Sequence, residues 1–161
     1  MTSNITIREY RDGDAEAVIA IAKDLQTHEL TIYDRLTPVD AIDGSYLAAL
    51  WKDIEKRNGC FLVAEYDDVV AGYCTLLTHC DSAEDTDEIF YRYSHVGDLA
   101  VLAEKRSLGI GKALLVECER IAKATGMKWL RLGVLANNAR ARKFYARAGY
   151  FDLLIKVEKP L

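Results

Sequence analysis

Arg106-Ser107-Leu108-Gly109-Ile110-Gly111-Lys112-Ala113 is the stretch on which the reading of this chain turns. Before it runs an apolar segment rich in tyrosine and valine, Ile89 to Val101. After it, Ile110, Leu114, Cys118 and Ile121 fall on one stripe of a segment from Gly109 to Thr125. The spacing predicts a strand, a glycine turn and an amphipathic helix. The first turn of a helix presents unpaired backbone N–H groups and the positive end of the helix dipole. Glycines there let a phosphate approach the main chain, and Arg106 and Lys112 add charge. The segment is therefore a candidate pyrophosphate cradle; the bland alternative is a helix that merely starts near two glycines. It is not a P-loop, because Arg106 stands where that motif needs its first glycine and Ala113 follows Lys112. It is not a dinucleotide fingerprint either, because Leu114 stands at the third glycine.

Outward from this loop, the pattern places four helices and six strands. Ile5 to about Glu9 is a first strand (β1). Ala15, Val18, Ala22 and Leu25 mark a helix to about Glu29 (α1), and Val39 to Arg57 marks a second (α2), closed by Asn58-Gly59. The continuous apolar run Cys60 to Ala64 reads as a central strand (β2). Asp67-Asp68 is a turn, Val69 to Thr78 the next strand (β3), and Ile89 to Val101 the one after (β4). Gly109 to Thr125 is α3, Trp129 to Leu135 is β5, Asn138 opens α4, and Tyr150 to Val157 is a last strand (β6). A hairpin meander with helical crossovers means a mixed α/β (α+β) sheet.

The 161 residues suit one domain, and half of them are hydrophobic, enough for a sizeable core. No apolar run approaches the ~18 residues of a membrane helix. The first ten residues have no apolar core, so a secretion signal is not expected. The four cysteines fit no zinc spacing, and no metal is expected; a cytoplasmic location with reduced thiols is. The net charge of −4 hides an asymmetry. Residues 104–147 hold 11 basic and 3 acidic residues, net +8, and the remainder nets −12. A basic stretch in an acidic protein points to a polyanion, either nucleic acid or a phosphorylated cofactor. The absence of a basic-aromatic recognition module disfavours nucleic acid.

The chain resembles the GNAT acetyltransferase superfamily from about Ile5 to Val157. Arg106-Ser-Leu-Gly109-Ile-Gly111 fits that family's Q/R-x-x-G-x-G/A motif, and Asp98-Leu99-Ala100-Val101 looks like the end of its β4. Asn138, Ala141, Tyr145 and Gly149-Tyr150 fit a second signature. The resemblance implies a mostly antiparallel central sheet of about six strands flanked by four helices, with β4 and β5 splayed. One N-acetyltransferase domain, 1–161, is expected. Acetyl-CoA is the implied cosubstrate, its pantetheine arm entering the splay against the Leu99-Ala100-Val101 main chain. The Leu99 N–H would polarise the thioester carbonyl. Main-chain N–H groups of Arg106, Ser107, Leu108, Gly109, Ile110, Gly111 and Lys112 would hold the pyrophosphate. Asn138 would touch the cofactor or cap its helix.

Tyr145 would sit by the sulfur as general acid; the alternative is a ring packed on Phe144 and the sheet. His95, whose ordinary pKa of ~6.5 suits a proton acceptor, is the candidate base; Tyr93 and Asp98 are weaker ones. His28 and His79 read as structural or solvated. His79 and Cys80, adjacent on a strand, point to opposite faces and do not share an ion. The expected reaction is direct attack, in a ternary complex, of a primary amine on acetyl-CoA. The acceptor region implied by the resemblance holds Glu29, Tyr33, Asp34, Arg35, Asp40, Asp43 and the acidic loop Asp81 to Glu88. Its charge suits a small cationic amine, with Tyr33, Tyr46, Tyr91 and Tyr93 as walls or cation–π partners. The alternatives are acetylation of a protein lysine or N-terminus, and a non-catalytic acyl-CoA-binding regulatory domain. No nucleic-acid or membrane partner is expected, and a homodimer remains open.

Overall fold

The computed structural model of the chain describes residues 4–83 and 89–161. Glu84, Asp85, Asp87 and Glu88 of the acidic loop lie outside the described residues. The elements are β1 (Ile5–Glu9), α1 (Ala15–Leu30), α2 (Gly44–Lys56), β2 (Cys60–Tyr66), β3 (Val69–Asp81), β4 (Arg92–Val101), α3 (Ile110–Ala124), β5 (Leu130–Leu132) and α4 (Ala139–Arg147). One sheet has the order β1-β2-β3-β4-β5. The first four strands pair antiparallel, and β4 pairs β5 in parallel.

The apolar run at Cys60 to Ala64 is explained by a sheet covered on both faces. Phe61 and Val63 point into a core with Val18, Ile21, Leu47, Ile54 and Tyr73, under α1 and α2. Leu62 and Ala64 point the other way, onto Leu76, Val96, Leu114, Leu115 and Cys118, under α3. The β2–β3 turn places Asp67 and Asp68 at φ 50° and 63°. Two consecutive left-handed residues make the tight turn whose twist matches a hairpin. The predicted α2 begins later than its apolar pattern suggests. Asp43 caps it, accepting from the Ser45 N–H at 2.8 Å, and Val39–Ala41 form a separate 3-10 turn.

Gly59 closes α2 and enters β2 against the neighbouring strand. A Cβ there would lie 2.1 Å from the Leu76 carbonyl oxygen. That obstacle is backbone, so it has little freedom to yield. Gly59→Ala is expected to cost roughly 3 kcal/mol and to lower Tm by about 6–12 °C in a thermal melt.

The expected β6 is not formed, so among the described residues the sheet has five strands rather than about six. Residues 150–161 carry no regular structure and are largely exposed. Their strand-like alternation is present, but a strand exists only with a ladder partner. The segment runs off the end of α4 without meeting one. β5 is also shorter than predicted, and its shortness shapes the site.

Candidate active site

β4 and β5 pair at three positions only: Ser94 with Leu130, His95 with Arg131, and Val96 with Leu132. Beyond them the strands part. On β4 the register against β3 shifts between Cys74 and Leu76, opposite Gly97 and Asp98. Thr75 fills the lost rung, its Oγ1 accepting the Asp98 N–H at 2.9 Å. A Cβ at Gly97 would lie 2.7 Å from that oxygen, so the irregularity needs glycine. On β5, Leu132 is followed by Gly133, and the chain turns away. The expected splay of β4 and β5 is thus a bulge on one strand and an early end to the other.

The splay opens a cleft of about 410 Å³, whose lining includes Glu29, Asp98, Leu99, Asn138, Ala141 and Tyr145. Leu102 directs its N–H to the Ala71 carbonyl on β3 at 2.9 Å. By strand alternation, the backbone groups of Leu99 and Val101 face the gap. A second hollow lies between the end of α1 and α2, and Leu36 lines both. Tyr46 lines that second hollow and donates its hydroxyl proton to Asp98 in the first. Tyr73, fully buried, donates to the same oxygen, Asp98 Oδ2, at 3.1 Å.

Gly109 stands at the N-cap of α3 with φ 92°, and Ser107 is also left-handed at φ 66°. Without a side chain, Gly109 cannot cap the helix, so the N–H groups of Ile110, Gly111 and Lys112 have no partner within the helix. Gly111 differs. A Cβ there would make only ordinary contacts of 3.6–3.8 Å with Phe144, Val101 and Leu99. The first glycine is demanded by φ; the second leaves room for alanine.

The Arg106 side chain corrects its expected role of adding charge to the cradle. Its guanidinium pairs with Asp24 at 2.9 Å and donates to the Val101 carbonyl at 3.0 Å. It therefore ties the loop to α1. The basic residue that reaches the loop is Arg140 at the start of α4, whose Nη2 lies 3.3 Å from Ser107 Oγ.

Tyr145 lines the cleft and also packs on Phe144 and Tyr150, with ring centroids 5.1 and 6.0 Å away. Burial above all, and the fields of Cys74 and Glu29, push its pKa up to about 12. The phenol keeps its proton at neutral pH. Glu29, in the last turn of α1, is half-buried. Burial first, then the charge of Asp98, raises its pKa above the ordinary value. Asn138 caps α4, its Oδ1 accepting the Ala141 N–H at 3.1 Å, and it also lines the cleft.

His95 lies on β4 beside the cleft and outside its lining, next to Val96. Burial, and then the nearby Arg57 cation, lower its pKa. The expected tyrosine walls are largely taken by the chain's own cations. Arg131 sits 4.9 and 4.2 Å above the rings of Tyr91 and Tyr93, and Arg35 sits 4.7 Å above Tyr33. Tyr46 lines the second hollow and reaches the cleft only through its hydrogen bond to Asp98.

Sequence comparison adds a family to this geometry. The pattern of the Acetyltransferase (GNAT) family matches residues 18–150. This chain belongs to that family. That family is one of acetyltransferases. This chain is 38% identical over 94 residues to the Uncharacterized N-acetyltransferase MJ1530 of Methanocaldococcus jannaschii, a match covering 58% of this chain and 53% of that relative. The chain thus spans about half the length of the curated relative it matches. Among solved structures, a mutant of the BH1408 protein of Bacillus halodurans superposes with a TM-score of 0.84 at 19% identity, over 97% of this chain and 99% of that one. An aminoglycoside N-acetyltransferase in complex with CoA superposes with a TM-score of 0.73 at 17% identity, over 100% and 97% of the two chains. At such identities these structures establish the GNAT fold.

The residues present fit a CoA ester. The gap between β4 and β5 offers strand-like backbone groups to an extended arm, and the uncapped first turn of α3 offers N–H groups to a pyrophosphate. Sequence reasoning missed the place of Arg140 beside the loop and the burial of Glu29 in the cleft lining. The sequence places Glu29 only among the residues of the acceptor region, and burial is what sets it apart. Among the described residues, no helix is long and apolar enough to cross a membrane.

Proposed function

We propose that the chain is one N-acetyltransferase domain that moves an acetyl group from acetyl-CoA to the primary amine of a small cationic molecule. The observation that carries this reading is the convergence, in one cleft, of a protonated phenol, two carboxylates and a splayed strand edge. Acetyl-CoA supplies the activated acyl group. The Leu99 N–H meets the acyl oxygen as it gathers charge, a contact typically worth a few kcal/mol. The Arg106 N–H is given to the Ala103 carbonyl at 3.3 Å, so main-chain N–H groups from Ser107 to Lys112, with Arg140 beside them, hold the pyrophosphate. Asn138 keeps the start of α4 fixed, and Tyr145 offers its proton to the departing sulfur. Glu29 and Asp98 receive the ammonium group of the acceptor. Glu29, with its raised pKa, accepts the proton that frees the amine for attack.

The base is thus assigned to Glu29 rather than His95. His95→Ala is expected to leave turnover within about threefold; a loss near the ~10²-fold of a missing base returns the role to histidine.

Acetyl-CoA at 100 times its Kd should stabilise the fold by about 2.7 kcal/mol, read as a thermal shift. Arg140→Ala should weaken that binding about tenfold, the ~1.5 kcal/mol of one charge-assisted hydrogen bond. The acceptor is tested by CoA-thiol release over a panel of polyamines, aminoglycosides, neutral amines and lysine peptides. The aminoglycoside relative makes polyamino compounds a natural first set. Turnover confined to lysine peptides would move the assignment to a protein substrate. Binding of acetyl-CoA without turnover would make the chain a regulatory acyl-CoA module.

A further inference from the structure

Resting on the acetyl-transfer reading of the cleft, we propose that Tyr46 and Tyr73 are positioning residues for the acceptor amine. Their phenol groups occupy one carboxylate oxygen of Asp98 and leave the other, Oδ1, held at the cleft as the seat of the ammonium group.

Asp98 is fixed through both its main chain and its side chain. Its N–H donates to Thr75 Oγ1 at 2.9 Å. Its Oδ2 accepts from Tyr46 on α2 and, at 3.1 Å, from Tyr73 on β3. The two phenol oxygens lie 3.0 Å apart, so they and Oδ2 form one closed group. Burial first, and then the charge of Asp98, raises the pKa of both phenols well above the ordinary value. Each phenol therefore keeps its proton at neutral pH and acts as a donor. The second oxygen differs. No described residue donates to Oδ1. Among the described residues, no buried side-chain oxygen is without a partner. Oδ1 is therefore not buried, and Asp98 lines the cleft.

The consequence is preorganisation. A carboxylate free to turn loses that freedom when it meets an ammonium ion, whereas the phenols have already fixed this one. With Oδ2 taken by two donors, an incoming amine meets Oδ1, in the cleft that Glu29 also lines. A half-buried carboxylate needs hydrogen-bond partners in any case, so the positioning role is recognised by what the phenols do to the amine. Tyr73 is the informative residue. It is fully buried, packs on Phe61 with ring centroids 5.7 Å apart, and lines neither hollow. It does not touch an acceptor, so an effect of its hydroxyl on the amine has to pass through Asp98.

The test is the binding of n-butylammonium to the full chain saturated with CoA, read by NMR from the amides of Gly97 and Gly133 in the cleft lining, with a thermal melt of each variant. Tyr46→Phe and Tyr73→Phe keep the rings, and each should raise the Kd about tenfold, the loss expected for one hydrogen bond to a charged group. In an Asp98→Ala background neither change should weaken binding further. Tyr46→Phe alone decides if Tyr73→Phe does not melt cooperatively. With whichever amine is turned over fastest, both variants should raise KM about tenfold and keep kcat within about threefold, because Glu29 and Tyr145 are untouched. A Kd within about twofold of wild type in either folded variant overturns the proposal. So does further weakening in the Asp98→Ala background, a loss confined to kcat, or a wild-type chain that binds no butylammonium. If no amine releases CoA thiol while butylammonium binding still depends on both phenols, the seat stands and the acetyltransferase reading falls.

Discussion

Tyr145→Phe is expected to lower kcat about a hundredfold while leaving acetyl-CoA binding within about twofold. The ring that packs on Phe144 and Tyr150 is retained, so the change deletes one proton donor and little else. The size of the loss follows from the environment. The phenol pKa stands at about 12, whereas an ordinary thiol titrates near ~8.5. Complete transfer of the proton from Tyr145 to a departing thiolate therefore runs uphill. Its main contribution is a hydrogen bond that strengthens as charge collects on the sulfur, which places the effect at the lower end of acid catalysis. The pH signature follows as well. Turnover should not fall from loss of the Tyr145 proton until the pH approaches 12. An alkaline limb that falls below pH ~10 and vanishes in the phenylalanine variant would contradict the raised pKa. Unchanged kcat in Tyr145→Phe would remove the residue from the mechanism and leave it a packing ring.

Glu29→Gln is expected to lower kcat/KM for cationic amines by about 10²-fold and, at neutral pH, to raise Tm. Both effects have one cause. Burial, and the neighbouring charge of Asp98, disfavour the ionised form of Glu29 in the folded chain. Its folded pKa lies above the unfolded value, so in the window between the two the folded state binds more protons. Stability then falls as pH rises through that window, and ionised Glu29 weakens the fold at neutral pH. Glutamine keeps the shape without the charge, so its stability should not change with pH through this group. The same raised pKa makes the carboxylate a better proton acceptor for an incoming ammonium. The wild-type kcat/KM should accordingly rise with pH through a pKa above 4.5, and Glu29→Gln should lose that limb. A variant that loses stability without losing activity would show that Glu29 has a purely structural role. Activity retained toward neutral amines but lost toward polyamines would assign it to acceptor binding rather than proton transfer.

The glycine loop was legible because it is local. A strand, a left-handed glycine and an apolar stripe at helical spacing need only neighbouring residues to be recognised, and the structure places α3 from Ile110 to Ala124 where the pattern predicts it. The two-sided sheet was equally legible in Cys60 to Ala64, because a strand apolar at every position has to be covered twice. The second signature was legible for the same reason, since Asn138, Ala141 and Tyr145 lie within one short helix and its cap.

The chemistry of the cleft was decided by contacts between distant residues. Glu29, Tyr46, Tyr73 and Asp98 come from α1, α2, β3 and β4, and nothing in their separations along the chain announces that they meet. Arg106 was read as a cradle cation, but Asp24, 82 positions away, claims its guanidinium. The pKa values of Tyr145 and Glu29 arise mainly from burial, which no single residue type carries. The segment 151–157 shows the division most plainly. Its alternation specifies a strand, because side-chain period is a property of the chain alone. Whether that strand exists depends on an edge to pair with, because a β-ladder is made of hydrogen bonds between segments, and only the tertiary arrangement supplies the second one.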